Sequence, residues 1–216
     1  MKYILFDLDG TLTDPKEGIT KSFQYALKHM GIIEENLDAL EKVIGPPLKD
    51  SFMEFYGMNE EDALEAVAKY RERFKTIGLY ENEIFDGIRE LLEHLQKEGF
   101  LLAIASSKPT VFVEQICEHF EIKQYFHHIV GSFLDGRRSE KEEVIEEAVK
   151  EFGEENLDEI IMVGDRKFDI IGAHQKGLKA IGVTFGYGGE KELKAAKADY
   201  IVNTVVELEK MLIMLK

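Results

Sequence analysis

The sequence has few of the features that mark secreted or membrane proteins. Its 216 residues contain a single cysteine, Cys117, which excludes an internal disulfide and is typical of a reducing compartment. No apolar run approaches the roughly 20 residues that a membrane-spanning helix needs. No small-residue cleavage site follows the apolar run near the N-terminus, so a signal peptide is not indicated. We therefore expect a cytoplasmic protein that does not interact with membranes.

Positive charge is also scarce. The chain has 27 Lys and Arg residues against 42 Asp and Glu residues, which gives a formal net charge of −15. Such a surface repels nucleic-acid backbones and anionic lipids, so neither is expected as a partner. A site for phosphorylated compounds in this chain must therefore obtain its positive charge locally, from a metal ion, a lysine or backbone N–H groups.

The apolar pattern divides the chain into two kinds of sequence. One kind has short apolar strands, which alternate with helical stretches after residue 85. These strands are predicted at 3–6, 101–105, 129–130, 160–163, 180–184 and 200–202. Between residues 14 and 84 the pattern is helical throughout, with no convincing strand. We therefore predict an α/β fold, a doubly wound parallel sheet, formed by residues 1–13 and 85–216, with an all-helical domain inserted at 14–84.

Polar residues predict where three of the helices begin. Asp14 precedes Pro15, a pair typical of an N-cap and the first helical position. Asp86 is predicted to cap the next helix of the α/β region, and Ser139 with Glu142 fits a capping box.

Polar groups follow three of the predicted strands, and this is where an open parallel sheet binds its ligands. The three segments are Asp7-Leu8-Asp9-Gly10-Thr11, Ser106-Ser107-Lys108, and Gly164-Asp165 with Asp169 four residues later.

Asp7 and Asp9 are the most informative of these residues. Side chains at positions i and i+2 of an extended chain point the same way, so the two carboxylates crowd each other and need a cation or a proton. Hard oxygen ligands favour Mg²⁺, and Gly10 allows the backbone to approach a ligand closely. Asp165 is a natural third ligand, whereas Asp169 fits a helix cap and a functional role equally well.

Lys141 and Ser106 are candidate phosphate contacts. A lysine in the first turn of a helix is mildly unfavourable because that end carries partial positive charge, and a bound anion would reverse the cost. With Mg²⁺ and Lys141, the formal charges of Asp7, Asp9 and Asp165 sum to zero before phosphate binds. The cation is therefore necessary in this interpretation.

Together these residues resemble the four motifs of the haloacid dehalogenase-like hydrolase superfamily. Asp7-Leu8-Asp9-Gly10-Thr11-Leu12 is similar to its first motif, Ser106 to the second, Lys141 to the third, and Gly164-Asp165 with Asp169 to the fourth. The helical insert and Phe185-Gly186-Tyr187-Gly188 resemble the phosphoglycolate phosphatase-like branch, which has a small helical cap of the C1 type. One departure is Ser107, where that branch often has asparagine.

The resemblance implies a Rossmann-like core and a mechanism. Asp7 would be the nucleophile and form an aspartyl-phosphate, and Asp9 would act as general acid and then base. Asp7, the Asp9 carbonyl and Asp165 would hold Mg²⁺, while Ser106 and Lys141 would neutralise the transferred group. The residues expected to support phosphate binding are Gly10, Thr11, Ser107 and Asp169. The expected substrate is a small phosphorylated metabolite, phosphoglycolate-like or a nucleoside monophosphate.

Several alternatives remain open from the sequence. A phosphomutase or a pyrophosphatase of the same superfamily shares these core residues. Asp9 argues against a metal-free dehalogenase, and the position of Asp7 after the first strand argues against a signalling receiver domain. A degenerate phosphatase fold that acts only as a binding protein is the non-enzyme alternative. The oligomeric state is not predicted.

Overall fold

The computed structural model describes residues 1–216, with the side chains of all positions except 154 and 155. The chain forms two compact units, one of Met1–Asp14 with Ile84–Lys216 and the other of Pro15–Glu83. These boundaries lie one residue from the predicted division at 1–13, 14–84 and 85–216. The roles of catalytic core and cap that we assigned to the two parts stay predictions.

The first unit is built on a six-stranded sheet. The strands of the chain are β1 (Tyr3–Phe6), β2 (Thr13–Asp14), β3 (Glu83–Ile84), β4 (Leu101–Pro109), β5 (His128–Ser132), β6 (Ile160–Gly164), β7 (Lys179–Val183) and β8 (Tyr200–Val202). The sheet has the order β5-β4-β1-β6-β7-β8, and β2 and β3 form a separate two-stranded sheet. Each neighbouring pair of the six-stranded sheet is parallel. The predicted α/β fold class is therefore confirmed.

The chain order explains where a ligand can bind. The strands are added outward in both directions from β1, because β4 and β5 lie on one side of it and β6, β7 and β8 on the other. The switch in direction opens a crevice at the carboxyl ends of the strands beside β1, which is where such sheets bind ligands.

Helices cover both faces of this sheet. The helices of the first unit are α4 (Ile88–Lys97), α5 (Thr110–His119), α6 (Lys141–Phe152), α7 (Lys167–Gln175), α8 (Gly189–Ala195) and α9 (Val205–Met214), numbered after three helices of the second unit, with 3₁₀ turns at Lys123–Tyr125 and Glu154–Glu159. Tyr3 and Leu5 of β1 belong to the apolar cluster that includes Val144 of α6 and Ile170 of α7. Alternate side chains of a strand point to opposite faces. The fully buried Ile4, between Tyr3 and Leu5, therefore lies under the helices of the other face.

The second unit is helical. It contains α1 (Lys16–His29), a 3₁₀ helix (Leu37–Val43), α2 (Leu48–Tyr56), α3 (Glu60–Arg73) and a π-helical turn (Phe74–Gly78). Phe23 of α1 stacks on Phe52 of α2 with 3.9 Å between ring centroids. Gly18 and Gly78 approach so closely that a Cβ on Gly18 would lie 1.9 Å from the Gly78 carbonyl oxygen. These contacts build the core of the unit from a stacked aromatic pair and a glycine contact.

The three predicted helix starts were wrong in detail. Helix α1 begins at Lys16 with Pro15 in the cap position, and α6 begins at Lys141 with Glu140 in that position, neither with a side-chain cap hydrogen bond. Helix α4 begins after Gly87, whose φ of +85° is the left-handed conformation that glycine adopts without strain. Ser139 and Asp86 are therefore not the cap residues, and Asp14 makes a different hydrogen bond that is described below.

Among the helices of residues 1–216, none combines the length and the apolar character that a membrane crossing requires.

Candidate active site

Three neighbouring strands deliver the candidate residues to one edge of the sheet. Phe6 at the end of β1 is in register with Ile104 of β4 and Val163 of β6. Because the strands are parallel, the residues that follow these positions meet at the same edge. This places Asp7 between the segments that carry Ser106 and Asp165.

A cluster of buried carboxylates lies at this edge. Ligand oxygens of Asp7, Asp165 and Asp169 all lie within 4.8 Å of one another, and all three residues are buried. Oδ2 of Asp165 accepts a hydrogen bond from the Tyr187 backbone N–H at 2.7 Å, whereas its buried Oδ1 has no hydrogen-bond partner among the described residues. A buried acceptor without a partner is costly unless a cation binds it. The donor set, all oxygen and largely anionic, fits a hard divalent cation such as Mg²⁺.

Lys141 lies against this cluster. Its side chain is only 6% exposed, and Nζ lies 2.8 Å from Asp7 Oδ1 and 2.8 Å from Asp169 Oδ1. Nζ also donates a hydrogen bond to the Ala105 carbonyl at 3.0 Å. The lysine that the sequence marked as unusual at a helix start therefore reaches the ends of β1 and β4, where two ion pairs and one hydrogen bond hold its ammonium group.

Burial shifts the ionisation of these groups. Burial together with the Asp169 and Asp7 carboxylates holds the pKa of Asp165 well above its usual range. Burial raises the pKa of Asp169 as well, although Lys141 opposes the effect. Burial alone would lower the pKa of Lys141, but Asp169 and Asp7 outweigh it and the pKa is raised. Lys141 therefore stays cationic beside the carboxylates.

Asp9 does not belong to the cluster and forms an ion pair with Lys108. Lys108 Nζ lies 2.7 Å from each carboxylate oxygen of Asp9, and the Lys108 side chain is 7% exposed. Burial raises the pKa of Asp9, and the Lys108 charge opposes that shift. The carboxylates that could hold a cation together are thus those of Asp7, Asp165 and Asp169. Asp9 was predicted to bind the metal through its backbone carbonyl, and this stays a prediction.

Ser106 and Ser107 lie where β4 loses its regular pairing. The ladder between β4 and β5 is regular to Ala105 and resumes at Pro109, so the irregularity falls on residues 106–108. Such an irregularity turns side chains away from the alternation of a strand. Ser106 is buried, its Oγ accepts a 3.4 Å hydrogen bond from the Lys108 N–H, and Ser107 is half-buried.

Gly10 and Thr11 line the turn after Asp9. A Cβ on Gly10 would lie 2.3 Å from Asp165 Oδ2, and the φ of Gly10 is +80°, so only glycine fits there. Thr11 is fully buried, and its hydroxyl finds no partner in the part of the chain that the structure describes. The backbone of the turn therefore packs against the carboxylate cluster, whereas the expected approach of Gly10 to a ligand stays a prediction.

Asp169 makes a helix-capping contact and also lies at the candidate site, where its functional role stays a prediction. Its Oδ2 accepts a 3.0 Å hydrogen bond from the Arg166 N–H at the start of α7, as a helix-capping residue does. Its Oδ1 faces Lys141, and it belongs to the carboxylate cluster. The helix start fixes the carboxyl group, so that it points to the site.

Two features of the site were not assigned from the sequence. Lys108 received no role, although its position two residues beyond Ser106 at a strand end is a signal that could have directed attention to it. The hydrogen bond from the Tyr187 hydroxyl to Asp14 joins residues 173 positions apart, so no local pattern indicates it.

This chain is similar to known proteins over most of its length. Residues 4–183 match the model of the haloacid dehalogenase-like hydrolase family. The chain is 49% identical over 209 residues to a 5′-nucleotidase of Pseudomonas aeruginosa, covering 97% of this chain and 94% of that protein. It is also 37% identical over 201 residues to the tyrosine-protein kinase PtkA of Mycobacterium tuberculosis, covering 93% of this chain and 65% of that protein.

A solved structure has nearly the same fold. The crystal structure of a predicted phosphatase from Clostridium acetobutylicum superposes with a TM-score of 0.95 at 52% identity, and the match covers 99% of this chain and 98% of that one. These findings confirm the predicted superfamily and the prediction of a phosphatase. The chain belongs to the haloacid dehalogenase-like hydrolase family.

Proposed function

We propose that this chain is a Mg²⁺-dependent phosphomonoesterase that hydrolyses nucleoside 5′-monophosphates through an aspartyl-phosphate on Asp7. The observation that carries the proposal is the buried cluster of three carboxylates within 4.8 Å, with Lys141 beside it, at the carboxyl edge of the sheet.

Formal charge supports the need for a cation. Asp7, Asp165 and Asp169 contribute −3 and Lys141 contributes +1, which leaves −2 at the cluster, while the Asp9 and Lys108 charges cancel each other. A phosphate dianion is repelled by such a site. A bound Mg²⁺ would restore neutrality and act as a Lewis acid on the phosphoryl oxygens, and Asp7 and Asp165 are the carboxylates that we expect to hold it, together with the Asp9 carbonyl.

Asp7 is the expected nucleophile. Its Oδ1 accepts a hydrogen bond from the Leu8 N–H at 2.8 Å and forms an ion pair with Lys141 Nζ at 2.8 Å, so the carboxylate is held in one orientation. One carboxylate oxygen of Asp7 would attack phosphorus and form the O–P bond as the bond to the leaving oxygen breaks. Lys141 neutralises negative charge beside the reacting group and is directed to do so before substrate arrives.

Asp9 is the expected acid and base. Burial raises its pKa against the opposing Lys108 charge, which brings the group toward the range where the acid can donate to the leaving oxygen and the carboxylate can accept a proton from the hydrolytic water. We expect Asp9→Asn to slow hydrolysis of poor leaving groups more than of p-nitrophenyl phosphate, because a stable phenolate needs little protonation. Equal losses on both kinds of substrate would remove Asp9 from the acid role.

The substrate class rests on the relatives. The 5′-nucleotidase of P. aeruginosa is 49% identical over nearly the whole chain, whereas the phosphoglycolate phosphatase of Vibrio parahaemolyticus is 27% identical and the pyrophosphatase PpaX of Halalkalibacterium halodurans is 32% identical. The nucleotide is therefore favoured over phosphoglycolate and pyrophosphate. The cytoplasmic location stays a prediction of the sequence.

The test is a panel of substrates assayed with and without Mg²⁺. It contains nucleoside 5′-monophosphates, ribose 5-phosphate, phosphoglycolate and pyrophosphate, with Asp7→Asn as the inactive control. We expect the highest kcat/KM for a nucleoside monophosphate, loss of activity in EDTA, and recovery with Mg²⁺ but poorly with Ca²⁺, which prefers looser coordination. Full activity in metal-free buffer would contradict the charge argument, and a preference for phosphoglycolate or pyrophosphate would replace the substrate class.

Transfer to an acceptor other than water is the second candidate. A relative that is 37% identical over 201 residues, 65% of its own length, is named as a tyrosine-protein kinase, and a kinase transfers a phosphoryl group to an acceptor other than water. Product analysis decides between the two, because a hydrolase releases inorganic phosphate for each ester consumed. Phosphorylated product without release of phosphate would favour a transferase, including a phosphomutase.

A further inference from the structure

The segment that follows β7 lies against the carboxylate cluster and is not used by the mechanism above. The Tyr187 backbone N–H donates a 2.7 Å hydrogen bond to Asp165 Oδ2. That bond fixes one oxygen of the carboxylate, while the buried Oδ1 is the one left without a hydrogen-bond partner among the residues described. The orientation of Oδ1 toward a cation therefore depends on where the Tyr187 N–H is held.

Glycines on both sides of Tyr187 make this approach possible. A Cβ on Gly186 would lie 2.2 Å from the Gly10 carbonyl oxygen and 2.4 Å from Asp165 Oδ2. A Cβ on Gly188 would lie 2.1 Å from the Asp165 carbonyl oxygen. The backbone of 186–188 is thus in direct contact with Asp165, so a displacement of this segment would displace the carboxylate.

Glycines give contact but do not anchor the segment, and the Tyr187 side chain does. Its hydroxyl donates a hydrogen bond to Asp14 Oδ1, and both residues are partly exposed. Asp14 ends β2, and it is the last residue of the first unit before the chain enters Pro15–Glu83. Helix α1 begins at Lys16 with Pro15 in the cap position, so Asp14 is not its N-cap residue.

We propose that Tyr187 is a positioning residue for Asp165: its hydrogen bond to Asp14 holds the segment 185–188 in place, and the segment in turn sets the affinity of the carboxylate cluster for its cation. The inference rests on the proposed function, because it assumes that the cluster binds a divalent cation. It assigns a role to Tyr187 and Asp14, neither of which touches the reacting atoms.

The experiment measures Mg²⁺ binding to the full chain by titration calorimetry, which does not depend on turnover. Tyr187→Phe keeps the ring and the backbone N–H and removes only the hydroxyl. Asp14→Ala removes the acceptor, and Asp14→Asn keeps an acceptor oxygen. Tyr200→Phe is the matched control. It also removes a tyrosine hydroxyl, from a partly buried residue on β8 of the six-stranded sheet.

We expect Tyr187→Phe and Asp14→Ala each to raise the Mg²⁺ dissociation constant about fivefold, as the loss of one hydrogen bond does. The double variant should be no weaker than either single variant, because both remove the same bond. Asp14→Asn should lie closer to the wild type, and Tyr200→Phe should bind as the wild type does. In Tyr187→Phe and Asp14→Ala, the KM for substrate should rise together with the Mg²⁺ dissociation constant. It should return to the wild-type value at saturating Mg²⁺.

Three results would overturn the inference in different ways. Unchanged Mg²⁺ affinity in Tyr187→Phe, combined with lost affinity in Asp165→Asn, would exclude the positioning role and leave the proposed function standing. Additive effects of Tyr187→Phe and Asp14→Ala would exclude the hydrogen bond between them as the cause. A wild-type chain that binds no Mg²⁺ would overturn both the inference and the proposed function.

Discussion

Charged residues are arranged differently in the two units of the chain. In Pro15–Glu83, ion pairs such as Lys49 with Glu60 lie at the surface, with side chains 41% and 68% exposed. At the carboxyl edge of the sheet in the other unit, Lys141 and Asp169 are paired with side chains 6% and 0% exposed. Surface pairs contribute little to stability, whereas buried charges are costly unless they are fully matched.

The buried charges at the carboxyl edge do not balance, and this distinguishes them from the surface pairs. Lys141 supplies one positive charge for the three clustered carboxylates, and Asp165 Oδ1 has no hydrogen-bond partner in the described chain. Folding around such a group lowers stability unless a ligand compensates it. Strongly perturbed carboxylates gathered in a cleft are therefore evidence for function, whereas the exposed pairs of the helical unit are a solvated surface.

The largest effect is expected at the nucleophile. Asp7→Asn should lower kcat by at least about 10⁴-fold, because the amide cannot attack phosphorus. The melting temperature should not fall, since one of the crowded charges has been removed. Steady-state kinetics and thermal unfolding of the same preparation check both parts. Activity near that of the wild type would show that Asp7 is not the nucleophile.

The next effect concerns stability and pH. A folded-state pKa raised above the unfolded value means that the native state gains stability as pH falls and Asp165 takes up a proton. Asp165→Asn should therefore stabilise the metal-free protein at pH values above the raised pKa, by about 1.4 kcal/mol for each unit by which the pKa is raised. The gain should shrink as pH falls through the raised pKa, because the wild type is then protonated too.

Thermal unfolding of metal-free protein at several pH values measures this gain. Asp50→Asn, at an exposed position of the helical unit, is the control and should change little at any pH. If the gain in stability did not change with pH, its cause would not be the ionisation of Asp165.

Breaking the second buried pair should be costly in a way that a second substitution repairs. Lys108→Met leaves the Asp9 carboxylate buried without its partner, which should lower the free energy of unfolding by about 3 kcal/mol. Adding Asp9→Asn should recover most of that loss, because the uncompensated charge is gone. Urea unfolding of the two single variants and the double variant gives the coupling directly. A double variant as unstable as Lys108→Met would mean that the lysine acts by packing.

The smallest effect is expected in the helical unit. Lys49→Met breaks the exposed pair with Glu60 and should leave the melting temperature within the error of the measurement. A loss comparable to that of Lys108→Met would remove the distinction between the two units.

The sequence was most informative where one strand and its next few residues decide the geometry. Asp7 and Asp165 follow strands of four and five buried residues, so their place at the carboxyl edge followed from periodicity and from the parallel order of the sheet. Helix starts were less predictable. Asp14 has the composition of an N-cap, but its carboxylate binds a tyrosine near the other end of the sequence, and a local rule does not include that competitor.

The sequence by itself determined the fold class, the family motifs and the candidate residues, because these depend on local hydrophobic period and on short motifs. Only the tertiary structure decided which groups share charge. It paired Asp9 with Lys108, placed Lys141 against both Asp7 and Asp169, and left Oδ1 of Asp165 without a hydrogen-bond partner among the described residues. The physical reason is that ionic interactions depend on distance and burial, and both are set by how strands distant in sequence lie side by side.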